Sequence, residues 1–218
     1  VASKRAESFG NRTPHEGMYT REELKELVAY CAERGIEVIP EIDLPGHNQA
    51  LAAAYPEFFC FPDPGTKVRT TGGVSLHLVC QKKGMKDVHE ELKEFEGKMA
   101  SMLAARGKRP QLWYEKPWAE AGIYRKGDTV FTWRMGLTPS TITETKKQGL
   151  PLIIAAGEHC YLDYPQIPGQ DNRGWMPTTT LEQSYKLDPA YGRPEKETDH
   201  IIGVQATMWA EQLPTLNH

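Results

Sequence analysis

The sequence predicts an α/β fold in which a parallel sheet is covered by helices. Three observations carry that expectation. Helical and strand-like segments alternate along the 218 residues. The strand-like segments are short, apolar and without period-two alternation, the pattern of strands buried on both faces. Polar and aromatic residues recur just after each of them, where a β/α barrel builds its active site. A β/α barrel and an open doubly wound sheet both fit, and the absence of a GxGxxG or P-loop glycine run weakens the nucleotide-binding version.

Residues 1–18 read as a polar loop. Thr20 and Glu23 then form a capping box, and Leu24, Leu27, Val28 and Cys31 fall on one helical face. Gly35 ends that helix, and residues 36–42 follow as the first strand. Pro40 is odd for a central strand; it suggests an irregularity that aims Glu41 and Asp43. Pro45-Gly46 makes a tight turn able to present His47. Residues 55–75, rich in Pro, Gly and Phe, read as a long loop. Asp87 and Glu90 suggest a second helix start. Val88, Leu92, Phe95, Met99, Met102 and Leu103 carry its apolar stripe to about Arg106, and Gly107 stops it. Strands are expected at 111–114, 129–133, 150–156 and 201–209. Thr138-Pro139 opens a helix with proline at its first position, running to Gln148 and stopping at Gly149.

Composition excludes several classes. The chain is 39% hydrophobic and 25% charged, with net charge −3, so no basic surface argues for nucleic acid or an anionic membrane. No stretch approaches the roughly 18 apolar residues of a membrane span. No signal peptide is visible, and the chain opens on Val1 without Met, as expected if a native N-terminus is absent. The cysteines, Cys31, Cys60, Cys80 and Cys160, lack zinc spacing and read as free, buried thiols. No metal or cofactor is expected.

The strand exits hold the chemistry. They carry Asp43 and His47; Trp113, Tyr114 and Glu115; Trp133 and Arg134; Glu158, His159, Tyr161 and Asp163; and Trp209 and Glu211. A single Trp or Glu at a strand end is more often structural, but five repetitions are not. Trp113, Trp133 and Trp209 suggest an aromatic-walled pocket able to hold a sugar ring. A histidine near a carboxylate, as His47 is to Asp43, can tune a general acid.

Several motifs resemble one known family. GIEVIPEIDLPGHNQALAAAYPE (35–57), LWYE (112–115), TWR (132–134), HCYLDYPQ (159–166), Gly174-Trp175, residues 181–189 and GVQATMWAE (203–211) are similar, in order, to glycoside hydrolase family 20, the β-N-acetylhexosaminidases. The resemblance implies a (β/α)8 TIM-like barrel, represented by about five of its eight strands in a single catalytic-barrel region, 1–218. It implies removal of terminal β-linked GlcNAc or GalNAc from glycans or chito-oligosaccharides. The mechanism it implies is retaining and substrate-assisted, with the acetamido oxygen as nucleophile and an oxazolinium intermediate. Tyr161 would bond the acetamido carbonyl, and Trp113, Trp133 and Trp209 would wall the sugar subsite. Asp163 and Glu211 would bind hydroxyls, while Asp43 and His47 would support the catalytic acid. A secreted, periplasmic or lysosomal setting is implied as well.

The family's catalytic Asp-Glu pair lies in a His-x-Gly-Gly-Asp-Glu motif after the fourth strand, and no such motif occurs in the chain. By the family pattern it belongs near Cys80–Gln81. The first two strands, with the family's substrate-binding Arg, would precede Val1, and the final helix would follow the last residue. A stretch left out of the sequence, a gene fragment and a remodelled non-catalytic glycan-binding relative remain open readings. A further alternative is an unrelated α/β enzyme using Glu115, Glu158 or Glu211 as acid and base.

Overall fold

The computed structural model describes residues 17–43, 47, 88–168 and 177–209. The chain divides into two units, Val1–Val88 and His89–His218. Among the described residues no helix is long and apolar enough to cross a membrane.

The first unit contains helix α1 (Arg21–Ala32). Its capping box forms as expected: the Glu23 amide donates to Thr20 Oγ1 at 3.1 Å, and the Thr20 amide donates to Glu23 Oε2 at 2.7 Å. Those bonds favour the ionised carboxylate and hold the Glu23 pKa below its ordinary value. Gly35 takes φ 70°, and the Ile36 amide returns to the Cys31 carbonyl at 2.9 Å, so the helix closes through a left-handed glycine. The stripe of Leu24, Leu27 and Val28 is present but about half exposed, and Cys31 is a free thiol only partly buried.

The strand expected at 36–42 does not form. Residues 36–43 carry no strand, and Ile36, Ile39 and Ile42 are exposed. The described strands number four rather than five. An apolar run signals a tendency to be buried but does not supply the neighbour whose N–H and C=O groups make a ladder. Pro40 removes one donor besides. Its expected role, an irregularity within a strand, lapses with the strand.

The second unit opens on α2 (Val88–Ala104). Leu92, Glu96 and Ala100 are buried, and burial pushes the Glu96 carboxyl pKa up. Strands β1 (Gln111–Trp113), β2 (Thr129–Phe131), β3 (Leu152–Ile154) and β4 (Ile201–Val204) build the sheet. All pairings are parallel and the spatial order is β1-β2-β3-β4, the order of the chain. A doubly wound sheet reverses its strand order at a switch point; these four strands show no reversal.

Register sorts the side chains into two faces. Trp113, Phe131, Ile153 and Gly203 pair across the sheet in one row. On the opposite face Val130, Leu152 and Ile154 are fully buried with Ile142 of α4 (Thr138–Gln148), and Leu112 and Ile201 pack against them. Helix α4 meets the sheet through threonines. Thr141 Oγ1 donates to the Leu137 carbonyl at 3.0 Å and Thr145 Oγ1 to the Thr141 carbonyl at 2.7 Å, which lets these hydroxyls be buried. The helix starts one residue earlier than expected: Leu137 is the N-cap and Thr138 is already helical.

Four short helices lie between strands: α3 (Lys116–Glu120), α5 (Gly157–Cys160), α6 (Leu181–Tyr185) and α7 (Glu195–Thr198). Four or five residues cannot establish a 3.6 period. Two carry a readable mark: Pro117 in the first turn of α3 and the Thr180–Gln183 capping box of α6.

Candidate active site at the strand exits

Because the strands are parallel, their C-terminal ends share one edge of the sheet. Side chains alternate along each exit. On β1, Leu112 and Tyr114 face the helices, and Trp113 faces the other way. Tyr114 donates to Glu144 Oε2 at 2.7 Å, and burial followed by that carboxylate pushes its pKa up. Glu115 is still extended, φ −126° and ψ 123°, so alternation returns its side chain to the face of Trp113. Tyr124, buried and stacked on Tyr114 at 5.5 Å, accepts from the Glu115 amide at 2.7 Å and donates to the Trp113 carbonyl at 2.8 Å. This buried hydroxyl fixes the backbone at the β1 exit; nothing local in the sequence marks it.

At the β2 exit, Thr132 Oγ1 accepts from the Ala155 amide at 3.1 Å. Trp133 donates its indole N–H to Glu115 Oε1 at 3.0 Å. Arg134 closes on the same carboxylate through Nε at 3.1 Å and Nη2 at 2.9 Å, and its guanidinium lies 4.3 Å from the Trp133 ring centre. Glu115 is thereby neutralised by a bidentate partner, which argues against its use as a free acid or base.

At the β3 exit the chain turns into α5, so Glu158, His159 and Tyr161 sit on and after a helical turn. Gly157 lets this turn approach β2: its amide donates to the Trp133 carbonyl at 3.0 Å, and an added Cβ would stand 3.1 Å from that oxygen. Glu158 Oε1 accepts from the Gly136 amide at 3.2 Å and the Tyr191 hydroxyl at 3.4 Å. The contacts tie α5 to the loops of Gly136 and Tyr191 and give Glu158 a structural part. Tyr191 holds φ 52°, and burial pushes its hydroxyl up to about 12. His159 Nδ1 lies 2.6 Å from the Gln183 carbonyl. Cys160 is buried, and that burial pushes its thiol up to about 11, away from nucleophilic use.

Tyr161 is buried and bridges to Thr207 of the β4 exit, its ring 5.1 Å from Tyr164. Asp163, half-buried, follows two residues on. Past β4, Trp209 brings its ring to 6.3 Å from that of Trp113. Trp113 also meets Phe131, its registered neighbour, at 5.3 Å. The exits thus place Trp113 with Trp209, Trp133 with Glu115 and Arg134, and Tyr161 beside the β4 exit. Asp43 is partly buried and His47 takes φ 53°; both belong to the first unit. Glu211, Pro45, Gly46, Gly174, Trp175, Cys60 and Cys80 lie outside the described residues.

Comparison with known proteins gives a consistent result. The model of "Glycosyl hydrolase family 20, catalytic domain" matches residues 1–81 and 74–218. A Beta-hexosaminidase of Akkermansia muciniphila is 52% identical over 266 residues, covering 100% of this chain and 53% of that protein. A crystal structure of a beta-N-acetylhexosaminidase superposes with TM-score 0.83 and 50% identity, over 97% of this chain and 55% of that one. A mutant Streptomyces plicatus beta-hexosaminidase in complex with product (GlcNAc) superposes with TM-score 0.69 and 25% identity, over 98% of this chain and 49% of that one. The chain spans about half the length of the relatives it matches. With its sheet, its strand-exit aromatics and a family match along its whole length, the chain belongs to glycosyl hydrolase family 20.

Proposed function

We propose that this chain forms the sugar-binding part of an exo-acting β-N-acetylhexosaminidase built on a (β/α)8 barrel. The full-length enzyme releases terminal β-linked GlcNAc or GalNAc with retention, the substrate's acetamido oxygen serving as nucleophile. One observation carries the proposal furthest. Trp113 ends β1 and Trp209 lies five residues beyond β4; these outer strands of the four would be three strand spacings, or about 14 Å, apart in a flat sheet. The two ring centres are nevertheless 6.3 Å apart. Strand exits that converge in this way, with strands in chain order, favour a barrel wall whose mouth is lined by aromatics. Flat apolar rings complement the C–H faces of a pyranose. The complex of the Streptomyces plicatus relative with GlcNAc supports the same substrate class.

In this reading Trp113, Trp133 and Trp209 wall the sugar subsite, and Tyr161 donates to the acetamido carbonyl. That bond aligns the nucleophilic oxygen and stabilises charge as it develops. Asp163 and Glu211 hold sugar hydroxyls, and Asp43 with His47 support the proton transfer to the leaving oxygen. The working setting is secreted, periplasmic or lysosomal. A second reading, a glycan-binding form without hydrolysis, is favoured by one observation: the 218 residues contain no His-x-Gly-Gly-Asp-Glu motif.

Tyr161→Phe in the full-length protein tests the first reading on p-nitrophenyl N-acetyl-β-glucosaminide. The expected outcome is a fall in kcat of about 100-fold or more. Unchanged turnover, or a wild-type protein that releases no p-nitrophenol, refutes it.

A further inference from the structure

Glu115, at the β1 exit, is a heavily engaged carboxylate. Its side chain is 17% exposed. One oxygen, Oε1, accepts the Trp133 indole N–H at 3.0 Å, while both oxygens accept from Arg134 at 2.9 to 3.1 Å. Arg134 also covers one face of the Trp133 ring at 4.3 Å. A tryptophan side chain has two rotatable bonds, and a fixed edge with a covered face leaves neither free. The carboxylate stands on a rigid base, since the Glu115 amide is held by the buried Tyr124 hydroxyl at 2.7 Å. The opposite face of the indole is the one Arg134 does not cover.

We propose that Glu115 is the positioning residue of the sugar pocket: with Arg134 as its clamp, it sets the orientation of Trp133 and so the plane against which the sugar ring packs. The proposal rests on the reading of Trp133 as a wall of the sugar subsite. It gives Glu115 no direct contact with substrate. Its effect runs through the indole, where a displacement of about 1 Å can cost on the order of 100-fold.

The test uses the 218-residue chain with Glu115→Ala, Glu115→Gln and Trp133→Phe, singly and combined. Near-ultraviolet circular dichroism reports the indole, and GlcNAc is titrated by tryptophan fluorescence. Glu115→Ala is expected to change the near-ultraviolet spectrum and weaken GlcNAc binding by about tenfold or more. Both effects vanish in the Trp133→Phe background, where the double variant binds no worse than the single one. Glu115→Gln keeps an acceptor for the indole N–H and recovers binding to within about threefold of wild type. The proposal is overturned if Glu115→Ala leaves the spectrum unchanged, or if its binding loss persists undiminished without Trp133. A wild-type chain blind to GlcNAc sinks the hexosamine reading instead, and the spectra then still decide whether Glu115 orients Trp133.

Discussion

His200 precedes β4, with Nε2 3.0 Å from Thr145 Oγ1. That hydroxyl gives its own proton to the Thr141 carbonyl at 2.7 Å, so it accepts from His200, and Nε2 carries the hydrogen. Nδ1 is buried, with no hydrogen-bond partner among the described residues. Protonation would add a donor there with nothing to receive it. Burial, and secondarily the charge of Lys146, lower the His200 pKa from its ordinary 6.5, with Asp199 opposing. The unfolded chain therefore binds more protons in the interval between the two pKa values. This contribution to stability is complete above pH 6.5 and declines as pH falls through that interval. The melting temperature is expected to rise between pH 5 and 7 more steeply in wild type than in His200→Gln. The comparison removes the slope due to carboxylates, and parallel profiles would refute the assignment.

Helix α4 shows what one position contributes to an element. Gly149 closes it at φ 68°, its amide donating to the Lys146 carbonyl at 3.2 Å while the Leu150 amide reaches Thr145 at 3.0 Å. A Cβ there would meet only the flexible Lys126 side chain at 3.6 Å. The cost of Gly149→Ala is then the left-handed backbone itself, about 1 to 2 kcal/mol. Urea unfolding should show that loss at unchanged m-value, and an unaltered midpoint would contradict it. Such local devices were readable in advance. Thr20 with Glu23, Gly35, Gly107 and Gly149 act through neighbours a few residues away, and β1 to β4 announced themselves as apolar runs. Residues 36–42 read the same way and failed, because a strand also needs a ladder partner, which composition does not name. The site divides likewise. Its strand-exit residues follow from chain order, but the bond from Trp133 to Glu115 spans 18 residues and arises only when β1 and β2 pair.

At the scale of the molecule the question is what stands beside β1. Among the described residues no strand pairs with its outer edge; in the barrel proposed above, such an open edge would expose both ladder groups and core. The Akkermansia muciniphila relative aligns over 266 residues against the 218 of this chain, a difference of 48. A (β/α)8 barrel of about 250 residues devotes roughly 30 to each unit, so the difference accommodates one strand, its helix and a loop. The two family matches, 1–81 and 74–218, overlap over residues 74–81, which include Cys80–Gln81. In the function proposed above, that is where the catalytic Asp-Glu pair belongs. The 218-residue chain is therefore expected to bind GlcNAc yet release no p-nitrophenol. Insertion at that junction of the stretch present in the relative should restore turnover and raise the melting temperature together, because the same unit supplies the acid and closes the edge. Turnover by the chain without the insertion would locate the acid among its own carboxylates and overturn the barrel assignment of the junction. A gain in melting temperature without turnover would leave the closure standing and assign the chain to the glycan-binding reading.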